Sequence, residues 1–224
     1  MRYGGRALKD FDAVIFDMDG VIFDSERATL LCWLELAKEK RFENIYEVFL
    51  KCTGTTMERT KQIVLEAYGE DFPYDEYAAL ASKMYHEKYD GGKLPVKKGV
   101  KDILGFLKDN NKKIALASSS RKATVEMELR DAGLLSYFDE IVTGDMVKRS
   151  KPEPDIFLKA CEAIGVKPSR AYAIEDSFNG IRSAFRGGLR PIMVPDLLEA
   201  DDEMREISDQ VLTDLNAVID YLKS

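Results

Sequence analysis

Short runs of apolar residues, each ending in small or polar residues, recur along the chain and predict buried strands. They cover 13–16, 114–117, 140–143, 171–174 and 191–194, with a weaker candidate at 210–212. Between them, helical patterns cover 100–110, 121–132, 154–164 and 178–186. The second of these helices is predicted to begin after a serine cap, and the last three are predicted to stop at glycines. Strands that alternate with helices indicate right-handed crossovers and therefore an α/β fold with a mostly parallel, Rossmann-like sheet.

The segment 27–92 interrupts this alternation directly after the first strand. It contains helical patterns and no convincing strand. The predicted helices cover 26–40, 56–68 and 74–89. Turn-forming residues at 24–25 and 91–95 flank the segment and can act as hinges. We therefore predict a small all-helical cap domain, 27–92, inserted into a catalytic α/β core domain that consists of 1–26 and 93–224.

The composition is that of an ordinary globular protein. Hydrophobic residues make up 45% and charged residues 33% of the 224 residues, which allows a substantial core. The net charge of -7 argues against non-specific nucleic-acid binding, which needs a basic face. The three cysteines lack metal-ligand spacing, residues 1–6 precede no signal-like apolar run, and no stretch approaches the ~18 apolar residues of a membrane span. We expect a cytoplasmic monomer with neither nucleic acid nor membrane as a partner.

The chain contains one histidine, His86, in a helical stretch rich in Tyr, Lys and Glu. A single imidazole cannot build a histidine-rich zinc site, and a Ser-His-Asp triad would have to use this residue. We interpret His86 as an ordinary surface or packing residue.

The residues that follow each predicted strand define the candidate chemistry, because an open parallel sheet binds ligands beyond the carboxyl ends of its strands. Asp17 and Asp19 follow the first strand, and alternate residues of an extended segment point to the same side. Two close carboxylates repel each other unless a hard cation or a shared proton compensates. Taken alone, the pair is equally consistent with a turn that Asp19 caps and Gly20 makes tight.

The other strand ends supply hydroxyl, ammonium and carboxylate groups. These are Ser118, Ser119 and Ser120 with Arg121, then Lys151 in a proline-stiffened loop, then Glu175 and Asp176. Each group also suits a structural role: a serine caps helices, an exposed lysine aids solubility, and an acid is favourable near a helix N-terminus. The combination suits a phosphate with Mg²⁺, because Mg²⁺ prefers carboxylate and phosphate oxygens and cations neutralise the charge on the phosphate.

In this combination the chain resembles the haloacid dehalogenase superfamily, within its branch of small capped phosphatases and β-phosphoglucomutase-like proteins. The resemblance rests on 17–21, Ser118, Lys151-Pro152 and 175–177, which occur in the family order. It covers essentially the whole chain. The presence of Asp19 favours phosphoryl chemistry, because the dehalogenases of the family lack that second aspartate.

The resemblance implies a role for each matching residue. Asp17 is the expected nucleophile that forms an aspartyl-phosphate, and Asp19 the expected general acid and then base. Ser118 and Lys151 are expected to hold the phosphoryl oxygens. The expected Mg²⁺ ligands are Asp17, the backbone carbonyl of Asp19 and Asp176, with Glu175 in support. The expected substrate- and phosphate-binding residues are Gly20, Glu26, Thr53, Gly54, Ser119, Ser120 and Arg121.

Within this branch, the sequence favours hydrolysis over a mutase reaction. The phosphoglucomutases usually carry a cap histidine where this chain has Thr29, and a cap arginine near the position of Met57. Arg121 could still hold a second phosphate. We therefore predict a Mg²⁺-dependent phosphatase of a small phosphorylated metabolite, with a sugar phosphate as the expected class, and a β-phosphoglucomutase-type mutase as the alternative.

Two non-enzymatic classes are weighed against the enzyme. A receiver-type signalling domain also accepts phosphate on an aspartate, but the helical insert and the later Glu175-Asp176 pair count against it. A sugar-phosphate binding module would tolerate Asp17→Asn without losing its function.

Overall fold

The structure is a computed structural model that describes residues 8–223. Residues 1–7, which include the N-terminal stretch considered above for targeting, and Ser224 lie outside the described residues. None of the described helices is long and apolar enough to cross a membrane.

Six strands form one parallel sheet at the centre of the core. They are β1 (Ala13–Phe16), β2 (Lys113–Ser118), β3 (Glu140–Thr143), β4 (Ala171–Glu175), β5 (Arg190–Met193) and β6 (Gln210–Val211). Their order in the sheet is β3-β2-β1-β4-β5-β6. The register pairs Phe16 at the end of β1 with Leu116 on one side and Ile174 on the other. The residues that follow β1, β2 and β4 therefore meet at one edge of the sheet, and the predicted Rossmann-like α/β fold is confirmed.

Ten α-helices lie within the described residues. They are α1 (Ser25–Lys40), α2 (Ile45–Cys52), α3 (Met57–Tyr68), α4 (Tyr74–Tyr89), α5 (Val100–Asp109), α6 (Lys122–Asp131), α7 (Asp155–Ile164), α8 (Phe178–Arg186), α9 (Asp202–Ile207) and α10 (Leu215–Leu222). The sequence analysis missed α2, α9 and α10, which are eight residues long or shorter. Such short helices depend on tertiary packing for their stability, so their local signal is weak.

The two faces of the sheet bury different side chains, which explains why the strands read as continuous apolar runs. One face carries large residues that pack with α5, α6 and α10: Val14, Phe16, Ile114, Leu116, Tyr172 and Ile174. The other face carries smaller residues that pack with α7 and α8: Ala13, Ile15, Ala115, Ala117, Ala171 and Ala173. The sheet is therefore covered on both sides, and only its edges and ends are available for a ligand.

Helices α1 to α4 follow β1 and have a core of their own, in which Trp33, Leu36, Ile45 and Ala81 are buried. The predicted domain boundaries stay a prediction. The first of them falls inside the first turn of α1, which begins at Ser25.

The predicted serine cap of α6 is wrong. The N-cap residue is Arg121, and no side chain caps this helix. The hydroxyl of Ser120 instead donates a hydrogen bond to Asp19, which is 101 residues away in sequence.

Candidate active site

The side chain of Lys151 connects the ends of three strands. Its Nζ atom lies 2.5 Å from Oδ1 of Asp17, 2.6 Å from Oε1 of Glu175 and 3.0 Å from the carbonyl oxygen of Ala117. Only 8% of the Lys151 side chain is exposed, so the ammonium is removed from water and paired with two carboxylates. Burial works to lower the pKa of Lys151, but Asp17 and Glu175 outweigh it and raise the pKa, so the side chain is charged.

Asp17, Glu175 and Asp176 form a buried acidic cluster whose oxygens approach within 4.8 Å of one another. Burial raises the pKa of Asp17 well above its usual range, although Lys151 opposes this. Burial, followed by the charges of Glu175 and Asp17, raises the pKa of Asp176. The cluster holds three carboxyl groups, and the one ammonium beside it pairs with two of them, Asp17 and Glu175. Oxygen ligands crowded in this way fit a hard divalent cation, because a cation removes the repulsion among them.

Glu175 is fixed by the start of α8. Its Oε2 atom accepts hydrogen bonds from the backbone N–H groups of Asp176 and Ser177, both at 3.2 Å, and from the Ser177 hydroxyl at 3.0 Å. The Ser177 hydroxyl in turn accepts from the N–H of Gly180 at 3.1 Å and caps the helix. These bonds hold the carboxylate in one orientation, with its other oxygen facing Lys151.

Gly180 leaves the space that Glu175 occupies, because a Cβ atom at this position would lie 1.9 Å from the Glu175 carboxyl carbon. Gly180→Ala is therefore expected to lower the free energy of unfolding by about 2–3 kcal/mol, since the buried carboxylate cannot move aside. Gly105→Ala is the matched control, because Gly105 lies inside α5 with open space around it and alanine should stabilise the helix by about 0.5–1 kcal/mol. Urea unfolding measures both changes. Equal stability of the two variants would contradict the packing described here.

Asp19 lies beside the cluster and is held from two directions. Its Oδ1 accepts a hydrogen bond from the Ser25 hydroxyl at 2.7 Å, and its Oδ2 accepts one from the Ser120 hydroxyl at 3.1 Å. Gly20, which follows it, has φ +78°, and a Cβ there would lie 2.1 Å from Oδ2 of Asp176. Glycine at position 20 therefore allows the chain to turn between the carboxylates of Asp19 and Asp176. Within the described residues, the metal-compatible cluster of side-chain oxygens does not include the carboxylate of Asp19.

The serine run at the end of β2 contains residues with different exposure. Ser118 is fully buried, and its hydroxyl accepts a hydrogen bond from the N–H of Ser120 at 3.1 Å. Ser119 is exposed and lines a cavity above the cluster. Arg121 is exposed, and the described residues that line this cavity do not include it.

Helix α1 and the cap contribute to the same cavity. Glu26 lines it from the first turn of α1, and Thr29, Thr53 and Gly54 line it from the cap. Thr29 is the position compared above with the usual cap histidine of the mutases. The carbonyl oxygen of Gly54 accepts a hydrogen bond from the side chain of Asn179 at 2.5 Å, which ties the cap to the start of α8.

Four residues contribute in ways that the sequence analysis missed. Ser25 was interpreted as part of a hinge and Asn179 was not singled out, but both hold parts of the site. Trp33 packs within the cap and also lines the cavity. His86 lies 3.0 Å from Asp90 and also contributes to the cavity lining. The sequence held one signal for Ser25 and Asn179, which is that both lie where a helix follows a strand of the sheet, α1 after β1 and α8 after β4.

The cavity runs from the acidic cluster into the cap and has a volume of about 670 Å³. Asp17, Asp19, Lys151 and Asp176 line its core end. This volume lies within the range of about 300–1,000 Å³ that is typical of small-molecule sites.

Glu26 gives this site a predicted pH dependence. Burial raises its pKa from 4.5 to about 7, and the neighbouring Asp19 and Asp196 add to the effect. Between these two values the folded protein keeps a proton that the unfolded chain has lost, so stability falls as pH rises. Glu26→Gln removes this titration. The stability of the variant relative to wild type should therefore rise by about 2 kcal/mol between about pH 4.5 and about pH 8.

Urea unfolding in Mg²⁺-free buffer across this range measures the effect. Glu70→Gln is the control, because Glu70 is exposed. A constant difference between Glu26→Gln and wild type would contradict the prediction.

Comparison with known proteins identifies relatives of this chain. A phosphorylated carbohydrates phosphatase of Thermotoga maritima is 31% identical over 183 residues, covering 81% of this chain and 83% of the relative. The β-phosphoglucomutase of Bacillus subtilis is 31% identical over 211 residues, covering 89% and 92%. The crystal structure of CbbY from Rhodobacter sphaeroides in complex with phosphate superposes with a TM-score of 0.71 at 25% identity, covering 92% of this chain and 95% of that chain. The family model described as haloacid dehalogenase-like hydrolase matches residues 14–194, so the resemblance is confirmed and the chain belongs to that family.

Proposed function

We propose that the protein is a Mg²⁺-dependent phosphatase that hydrolyses a small phosphate monoester through an aspartyl-phosphate on Asp17. The observation that carries this proposal is the buried arrangement in which one lysine contacts two carboxylates at the end of a cavity. Relatives named as phosphatases of phosphorylated carbohydrates and of fructose 1-phosphate support the reaction class and make sugar phosphates the first substrates to screen. Membership of this enzyme family excludes the receiver-type alternative.

The first chemical step transfers the phosphoryl group to the protein. A carboxylate oxygen of Asp17 attacks phosphorus, and the bond from phosphorus to the leaving oxygen breaks. Asp19, held by Ser25 and Ser120, donates its proton to that oxygen. Lys151 lies close enough to Asp17 to bind a phosphoryl oxygen and to reduce the repulsion between carboxylate and phosphate.

The second step releases the phosphate. Asp19, now a carboxylate, takes a proton from water, the water oxygen attacks phosphorus, and the bond to Asp17 breaks. Ser118 and the exposed Ser119 are the further proposed contacts to the phosphate, in addition to Lys151. The products are inorganic phosphate and Asp17 in its original form.

The proposed magnesium ligands are Asp17, Asp176 and the backbone carbonyl of Asp19, with Glu175 as their support. The buried acidic cluster fits this group, since it brings three carboxyl groups together and Lys151 pairs with only two of them. When bound, Mg²⁺ supplies positive charge that neutralises the phosphate and keeps Asp17 ionised.

Removal of the metal is expected to stop turnover. Phosphate release should fall to background in excess EDTA and return when Mg²⁺ is added in excess, because the pKa of buried Asp17 is raised in its absence. A parallel thermal melt should show that Mg²⁺ raises the unfolding temperature, since it binds the folded state. Full activity in excess EDTA would mean that the carboxylates have another role.

A mutase reaction is the second candidate, because a β-phosphoglucomutase is among the relatives. Thr29 lines the cavity where the mutases carry histidine, which favours hydrolysis. One incubation separates the two: β-glucose 1-phosphate with Mg²⁺ and a trace of β-glucose 1,6-bisphosphate, followed for free phosphate and for glucose 6-phosphate. Free phosphate without isomer supports the phosphatase, and isomer without free phosphate supports the mutase. The monomeric state stays a prediction, which sedimentation can test.

A further inference from the structure

The residues that line the cavity above the acidic cluster change from charged to apolar along its length. Its core end holds Asp17, Asp19, Lys151 and Asp176, and Glu26 and Glu128 also line the cavity. Its cap end lies between α1, α2, α3 and α4. The lining there is apolar and aromatic, and includes Trp33, Val48, Phe49, Val64, Tyr74 and Ala81.

Two of the hydroxyls that line the cavity from the cap bond to one another. The hydroxyls of Thr55 and Thr60 lie 2.9 Å apart, and the Thr55 hydroxyl also donates to the carbonyl oxygen of Cys52 at 2.7 Å. The ring of Tyr74 stacks against Trp33 at a centroid distance of 6.3 Å. The part of the lining formed by Trp33, Val48, Phe49 and Val64 therefore offers a ligand hydrocarbon surface. Polar cap residues of the same lining are Thr29, Ser82, Tyr85 and His86.

Burial in such a place disfavours hydroxyl groups and favours hydrocarbon. A hydroxyl that enters the cap end gives up its bonds to water without replacing them. A methylene group that enters gains the hydrophobic free energy of its burial. Because the cavity is continuous from Asp17 to Trp33, a molecule that places its phosphate at the cluster extends its leaving group towards the cap end.

We propose that the substrate is a phosphate monoester whose leaving group carries an apolar portion, of about six carbons, that binds between the cap helices against Trp33. The proposal rests on the phosphatase function proposed above and narrows its substrate class. Any hydroxyls of the leaving group belong near the phosphate, beside Glu26.

A series of unbranched alkyl phosphates tests the proposal. From propyl to hexyl phosphate, kcat/KM should rise about fourfold for each added methylene, or about 50-fold in total. Cyclohexylmethyl phosphate and glucose 6-phosphate form a pair matched in ring size and in their primary phosphate ester. The first should have a kcat/KM at least about tenfold higher than the second.

A variant that fills the cap end should remove this preference. Ala78 lines the cavity from α4, and Ala78→Leu should reduce the rise from propyl to hexyl phosphate to less than about fivefold, because the added side chain occupies the space. Leu34→Ala is the control, because Leu34 lies on α1 with 36% of its surface exposed and is not part of the described lining. For this control, the kcat/KM values along the alkyl phosphate series should match those of wild type.

Binding can be followed without turnover, since Trp33 is the single tryptophan of the chain. Hexylphosphonate, added with Mg²⁺, should shift the tryptophan emission at concentrations at least about 50-fold lower than propylphosphonate requires. Equal responses to the two phosphonates, or none, would overturn the proposal.

The outcomes of these experiments distinguish failure of the apolar leaving-group proposal from failure of the proposed phosphatase function. A flat alkyl series with efficient release from glucose 6-phosphate would overturn the apolar leaving group and leave the phosphatase intact. Absence of phosphate release from every ester would overturn the proposed function. The tryptophan titration would then still support or overturn an apolar ligand at the cap end.

Discussion

Asp17→Asn is expected to lower the rate of phosphate release by at least about 10³-fold, because an amide cannot replace the attacking carboxylate. The wild-type protein, quenched in acid during turnover, should yield a phosphorylated peptide that contains Asp17, and the variant should yield none. The measurements are initial rates at saturating Mg²⁺ and mass spectrometry of the quenched protein.

The fold of this variant should be unchanged, and far-UV circular dichroism checks it. In Mg²⁺-free buffer its unfolding temperature should equal or exceed that of wild type, since one of three crowded buried carboxyl groups is removed. Asp109→Asn is the matched control, because Asp109 is exposed at the end of α5, and it should keep full activity. Near-normal turnover in Asp17→Asn, or phosphate on another residue, would refute the assignment of the nucleophile.

Lys151→Met is expected to damage both stability and activity. The substitution leaves the buried Asp17 and Glu175 without the ammonium they share, and breaking a buried pair in this way costs about 3–5 kcal/mol. Activity should fall by about 10²–10³-fold, because a preorganised donor to the phosphoryl group is lost. Urea unfolding at neutral pH without Mg²⁺, together with phosphate-release rates, measures both effects.

The stability deficit should shrink as pH falls. The pKa of buried Asp17 is already raised, and without the lysine it rises further. The folded variant then binds protons that the unfolded chain does not, so lower pH stabilises it relative to neutral pH. Lys148→Met is the control, since Lys148 is an exposed lysine of the same loop, and it should resemble wild type. A Lys151→Met variant as stable as this control at neutral pH would show that the buried ion pairs contribute little.

These predictions depend on charged side chains that the backbone holds close together. Lys151 reaches Asp17 across 134 residues of sequence because both follow strands of one parallel sheet. Glu175 is held by the first turn of α8, and Gly180 leaves room for its carboxylate. The sheet brings the groups together, and the loops at its edge fix their orientation.

The sequence alone determined the strands, the longer helices and the family. The apolar runs are local and continuous, as in strands buried on both faces, and polar residues mark where they end, as with Asp17 after β1 and Glu175 at the end of β4. Because parallel strands place their carboxyl ends at one edge, the sequence also predicted that these groups meet. The roles given to them remain predictions for the experiments above.

Only the tertiary structure decided which polar groups contact each other and what the cap presents to the cavity. Ser25 was interpreted as a hinge and Ser120 as a helix cap, yet both hydroxyls bind Asp19, because loop geometry directs their side chains. Trp33 packs within the core of the cap, and its contact with the cavity follows from how helices α1 to α4 pack together. Such contacts join residues far apart in sequence, so they cannot be predicted from local periodicity. The space between packed helices likewise exists only once the helices have assembled.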